Sequence, residues 1–288
     1  MIYVIGNTTV CINATLEHAL NPGATNQTSA PTALDLGGNG ALKAISAARC
    51  GAKISLISQT GSDLMGKFAL DILRKEGIKT SGISTNLTQT QLDICLEDSN
   101  RKTNINASNK AANAYADIIP AQHLNAGTLI LLSNNTSTHT DFIRWLTQAR
   151  NNGAKIMLCN NPDEENNPAM TKLADILITD QQSNQPSVSQ NTYLITTKNC
   201  GTGGAIAQKG NATACDITTK SNKGNTITFN IFCGYFAACI QTGLELKRAL
   251  EIANNAAALS TQLSGAYSAI PYLGYLEDII DTPDIIEK

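Results

Sequence analysis

Asn230 is the side chain with the most chemistry at stake. It stands just before an apolar helical stretch, Phe232 to Gln241, where Phe236 and Ile240 recur at spacing four and Gly243 ends the helix. Its amide hydrogen-bonds in both directions but cannot take up a proton at ordinary pH. Asp180 follows the strand-like run Ala174 to Thr179 and reads as a solvated strand-end residue before a metal ligand. Asn199-Cys200-Gly201-Thr202-Gly203-Gly204 is Gly-rich, equally an ordinary turn between strands or the border of a bound group. Cys11 reads as a packed thiol rather than a reactive one. Gly37 and Gly38 let backbone pass close to a neighbour or take positive φ.

The elements that must position these residues follow from periodicity. Ile2 to Ile5 is a strand, and Asn21-Pro22-Gly23 a turn, with Thr-rich strands from Ala24 to Leu36. Gly40 to Arg49 is a small-residue helix stopped by Gly51, and Lys53 to Ser58 alternates as a strand. Gly61, Asp63 and Gly66 turn the chain into a second helix ending near Glu76-Gly77. Short strands follow at Leu92 to Glu97 and Lys102 to Asn106. From Thr128 strand and helix alternate, with Thr140 to Asn152 the clearest helix, which argues for a parallel sheet covered on both faces. Ligands then bind beyond the carboxyl ends of the strands. Leu250 to Leu263 is an Ala-rich helix.

The totals exclude several partners. In 288 residues the net charge is −2, charged residues make up 15%, and no basic run appears, so neither nucleic acid nor anionic membrane is an expected partner. No apolar stretch is long enough to span a bilayer, and the chain opens straight into a strand without a signal-peptide pattern. The eight cysteines show no metal-binding spacing and read as buried small residues in a reducing cytoplasm.

The order and spacing from Leu36 to Gly66 resemble the first signature of the ribokinase-like carbohydrate kinases, the PfkB family, and with the later matches the resemblance covers nearly the whole chain. It implies a single α/β domain over 1–288, a three-layer α/β/α sandwich with a mostly parallel central sheet. A small β lid, from about 8–36 and 92–106, would cover a sugar or nucleoside and pair across a homodimer. It implies ATP and Mg2+ as cofactors. The substrate positions fall at Cys11, Gly37, Gly38, Leu42 and Asn109, and the nucleotide positions at Asn199, Gly201, Gly204, Ile227, Thr228, Phe229 and Asn254. Asp180 and Ser183 stand where the family has an Asn-x-x-Glu motif for metal and phosphates, Gly224 where it has a cation-site Asp, and Asn230 where it has the catalytic Asp.

Those departures fall into one class. The glycines and the hydrophobic periods match the family, whereas Cys11, Leu42, Ser183, Gly224 and Asn230 replace groups for sugar, metal and proton. Ile227 and Phe229 are expected to add bulk where backbone should approach a phosphate. A missing general base alone is worth ~10²–10⁴ in rate. The sequence therefore reads as a family member that is non-catalytic or severely impaired, kept for small-molecule binding or protein association. The alternative is an active ATP-dependent sugar or nucleoside kinase in which Asp180, Asp216 or Asp93 takes over as the acid group.

Overall fold

Continuous apolar runs build the centre of the molecule. In the computed structural model, which describes residues 1–98, 102–107, 120–133, 136, 139–161, 167–183, 187–218 and 224–276, β1 (Ile2–Ile5), β8 (Leu129–Ser133), β9 (Lys155–Asn160) and β10 (Ile176–Asp180) are buried almost throughout. Strands without polar alternation suit a sheet covered on both faces. They lie in a nine-stranded sheet with β4 (Ile54–Gly61), β5 (Lys79–Leu87), β11 (Tyr193–Thr197), β12 (Gly204–Lys209) and β13 (Ala212–Thr218), ordered β13-β12-β11-β10-β9-β8-β1-β4-β5. Pairing is parallel from β5 to β11 and antiparallel at β12 and β13. One face packs on α1 (Asn39–Arg49), α2 (Leu64–Lys75), α5 (Thr226–Gln241) and α6 (Leu246–Ser260), the other on α3 (Thr140–Asn151) and α4 (Pro168–Thr171). The expected three layers and mostly parallel sheet are present.

A second sheet holds four short strands in the order β3-β2-β6-β7: β2 (Thr9–Thr15), β3 (Ala33–Gly37), β6 (Gln91–Glu97) and β7 (Lys102–Ala107). Register and the two-residue period give it two unlike faces. Cys11 is the Cα partner of both Asp35 and Asp93, and Asn13 pairs with Cys95. Val10, Ile12 and Ala14 face the other way with Leu36, Leu34 and Ile94. The Thr-rich stretch expected as strands from Ala24 is regular only from Ala33, apart from an isolated bridge between Leu16 and Thr28.

Strand order reverses around β1, which lies between β4 and β8, so the crevice beyond its carboxyl end is the natural ligand position. Two close approaches build the wall there. Gly6 packs backbone to backbone on Gly40 of α1, and a Cβ on Gly38, at φ +92°, would lie 2.5 Å from the Asn7 carbonyl oxygen. Only glycine fits either place. On the far side, Arg49 pairs with Glu76 (Nη2 to Oε1, 2.7 Å; Nε to Oε2, 3.0 Å) between the rings of Tyr267 and Tyr272, fastening the 265–276 segment to α1 and α2. No helix among the described residues is long and apolar enough to cross a membrane.

Candidate active site

Helix α5 begins earlier than its apolar run suggests. Thr226 is its first residue and Asn225 its cap, so Ile227 to Asn230 form the opening turns of the helix rather than a loop before it. A reciprocal cap explains the shift. Asn225 Oδ1 accepts from the amides of Ile227 (2.9 Å) and Thr228 (3.1 Å), and Thr228 Oγ1 accepts from the Asn225 amide (2.9 Å). These are the amides a helix N-terminus would offer to an anion. The cap takes them. At α1 the amides of Gly40 and Ala41 are likewise taken by the Asn7 carbonyl, at 3.0 and 3.1 Å.

Phe229 corrects the expectation of bulk in the cleft. It is fully buried in the core beside Phe232 and Phe236, and Ile227 packs half-buried against the same cluster. The Asn225 cap takes the first amides of α5, and the Phe229 ring lies in the core rather than in the cleft. Leu42 is also a core residue, 3% exposed. Asn109 lies outside the described residues.

Asn230 joins the two helices. Its Nδ2 donates to Asn39 Oδ1 (2.9 Å) and to the Thr226 carbonyl (2.8 Å), while its buried Oδ1 has no hydrogen-bond partner among the described residues. An ionised carboxylate in that place would set an oxygen against two oxygens. The position therefore suits an amide and disfavours a base.

Asp180 is not solvated, contrary to the sequence-based expectation. It is 0% exposed. Its Oδ2 accepts from Thr197 Oγ1 and from the Cys200 amide, both at 2.7 Å, and its Oδ1 from the Gln182 amide at 3.1 Å. The carboxylate thus clamps the Gly-rich turn. Asn199 and Cys200 take positive φ, 49° and 53°, ahead of Gly201 at φ +89°. Two consecutive non-glycine residues in that region cost about 1–2 kcal/mol each, a strain the surroundings must offset. Besides Asp180, Thr228 Oγ1 holds the Cys200 carbonyl (3.0 Å), and Asn254 Nδ2 of α6 donates to the Gly201 carbonyl. Gly204, at φ +110°, packs on the Ile217 carbonyl. Gly224 lies so close to the Asn199 carbonyl that no side chain fits, leaving no room for an acid at that position. Ser183 is buried in the separate turn that follows β10, its amide donating to the Asp180 carbonyl (3.0 Å), and its Oγ has no partner among the described residues.

The donor set does not fit a protein-held magnesium. Among the described residues no cluster of three or more His, Cys, Asp or Glu side chains comes together, and Asp180 is spent on the turn. Of the other two acids considered, Asp216 pairs with Lys198 (3.2 Å) on the edge strand β13. Asp93 stands on β6 opposite Cys11 and accepts from Thr9 Oγ1 at 2.8 Å. Burial, and then the Asp93 charge, push the Cys11 thiol up to about 11, so it is protonated near neutral pH. Its Sγ rests directly on Gly37, where any Cβ would overlap it.

The sequence places Asn39 and Lys43 close to this site but gives neither their direction nor their depth. Lys43 is fully buried and its Nζ donates to Ser133 Oγ at 2.6 Å, at the carboxyl end of β8.

An α/β sheet with its strand reversal at β1, flanked by a small four-stranded sheet, is a ribokinase-like architecture, and the comparisons agree. Residues 1–182 match the pfkB family carbohydrate kinases, and the chain belongs to that family. It is 25% identical over 260 residues to the ribokinase of Haemophilus influenzae, covering 82% of this chain and 84% of that one. The crystal structure of ribokinase from Thermotoga maritima superposes with a TM-score of 0.79 at 19% identity, over 98% of this chain and 99% of that one. A putative ribokinase II from E. coli, in complex with ATP and Mg2+, matches with a TM-score of 0.74 at 19% identity, over 97% and 98%.

Proposed function

We propose that this chain is a PfkB-family protein severely impaired in phosphoryl transfer, retained to bind a small sugar-like molecule or to associate with a partner. One observation carries the reading: Asn230, at the position of the family's base, is a buried amide whose two protons are committed to Asn39 Oδ1 and the Thr226 carbonyl. Phosphoryl transfer depends on positioning and on charge stabilisation of the moving phosphoryl group. Here the helix amides are capped by Asn225 and the strand-end carboxylate is bound to the Gly-rich turn. Losing base and phosphate cradle together removes contributions that act as a unit. A homodimer through the four-stranded sheet fits the half-exposed Leu34 and Ile105 there.

A coupled ADP-release assay with ribose, fructose and nucleosides, at saturating Mg-ATP, tests the reading. Turnover is expected far below the ~1–100 s⁻¹ typical of kinases. Fast wild-type turnover that Asn230→Ala abolishes would overturn it and favour an active kinase with a divergent site.

A further inference from the structure

The polar face of the four-stranded sheet carries two carboxylates, and they are not equivalent. Asp35 is 5% exposed and fully engaged: its Oδ1 accepts from the Leu36 amide at 2.9 Å, and its Oδ2 from the Ala266 amide at 2.6 Å and Ser268 Oγ at 3.1 Å. It fastens β3 to the 265–268 loop. Asp93, half-buried, accepts one hydrogen bond among the described residues, from Thr9 Oγ1 to Oδ2, and no donor of the described residues reaches its Oδ1. A carboxylate has about four acceptor positions, so most of its capacity faces outward from the protein's own bonding.

No cationic side chain of the described residues pairs with it, and the other carboxylate of this face, Asp35, stands across Cys11 with its own donors. Thr9 Oγ1 and Cys11 Sγ lie 3.9 Å apart, and Cys11 is the register partner of Asp93. Beneath them Gly37 presents bare backbone, and two residues further on α1 begins with Asn39, which reaches Asn230. The Asp93 face and the crevice at the strand ends are therefore parts of one site. A hydroxyl, a thiol and one open carboxylate oxygen suit a neutral, hydroxyl-rich ligand. Hydroxyl-to-carboxylate bonds are short and charge-assisted, about twice as strong as neutral ones.

We propose that Asp93 is the specificity-determining residue of this chain's small-molecule site, its open Oδ1 accepting from neighbouring hydroxyls of a sugar while Thr9 holds Oδ2. The inference rests on the reading above only in placing a carbohydrate in the cleft, and it is independent of turnover.

Calorimetric titration of the full chain with D-ribose, D-fructose and 2-deoxy-D-ribose tests it, with Asp93→Asn as the variant and Asp71→Asn on α2 as the control. Wild type and Asp71→Asn should bind ribose or fructose alike, and Asp93→Asn should bind about 10–100-fold more weakly, the range for a lost hydrogen bond to a charged group. A second readout guards against misfolding. Removing the Asp93 charge should lower the Cys11 pKa and speed iodoacetamide labelling of Cys11. Bound sugar should slow that labelling in the wild type. Equal sugar affinity in wild type and Asp93→Asn overturns the proposal and leaves the impaired-kinase reading standing. So does a wild type that binds none of the three sugars, or that binds only amines. Fast turnover combined with loss of binding in Asp93→Asn overturns the impaired reading and sustains Asp93.

Discussion

Restoring an acid at position 230 should weaken this protein rather than awaken it. In Asn230→Asp the two donated bonds, 2.9 Å to Asn39 Oδ1 and 2.8 Å to the Thr226 carbonyl, lose their donor. Both partners are acceptors, and the single proton of a carboxylic acid reaches only one of them. The protonated acid replaces one bond and leaves one unmade, about 1 kcal/mol. Burial and facing oxygens raise the carboxyl pKa by ~2–3 units, and each unit is about 1.4 kcal/mol. A raised folded pKa means the native state holds its proton more tightly than the unfolded chain. Stability relative to wild type therefore falls as pH rises above about 4, until the folded pKa is passed. With about 2 °C per kcal/mol for a chain of this size, Tm should drop by about 5 °C at pH 5 and about 9 °C at pH 8. Thermal unfolding of both proteins at the two pH values measures this. An unchanged Tm at pH 8 would refute the reasoning, because it would show a cleft already able to hold a carboxylate.

Other perturbations probe the same frame. Burial pushes the Glu76 carboxyl up, but hydrogen bonds from Arg49, Tyr267 and Tyr272 and the Arg49 charge outweigh it and hold the group below its ordinary value. Glu76→Gln should cost about 2 kcal/mol at pH 7 in denaturant titration, and the difference from wild type should shrink as pH falls below about 4.3 and through the lower folded value. Ser133→Ala strips from the buried Lys43 amine the one partner it has among the described residues and should cost about 1–3 kcal/mol. Lys43→Met removes the buried amine together with its need for a partner and should be near neutral or stabilising. The reverse order in a melting experiment would show that the lysine, not its satisfaction, supports the fold. Gly51→Ala, at φ +91° with open space around it, should cost about 1–2 kcal/mol. Gly40→Ala drives a methyl into the Gly6 backbone and should lower Tm further.

The fold was legible because its signals are local. Continuous apolar runs such as Leu129–Leu132 and the small-residue helix from Gly40 announce buried strands and tight helix packing without knowledge of their partners. The antiparallel edge β12-β13 and the strand β5 were not read, since mixed polar strands at a sheet edge carry little periodicity. The site was harder. The apolar run points to a helix from Phe232, yet the reciprocal bonds between Asn225 and Thr228 start α5 six residues earlier. Phe229 looked like an obstruction, but helical phase turns it into the core. Asp180 looked like a solvated end because its partners, Thr197 and Cys200, are remote in sequence. Cys11 opposite Asp93 depends on register between strands far apart in the chain, which no single-sequence pattern encodes.

The position of β1 has a consequence for how the chain is made. Ile2 pairs with Ile54 on one side and Leu129 on the other, so β1 is synthesised well before either of its neighbours. A ribosome adding ~5–20 residues per second must reach β8 before both edges of β1 are covered, leaving an apolar strand half-open for ~6–25 s. Long-range parallel pairing also closes slowly on its own account. Early in its life, then, the chain presents a sticky strand edge that the finished molecule covers on both sides. Chaperone dependence and low soluble yield are the expected traits.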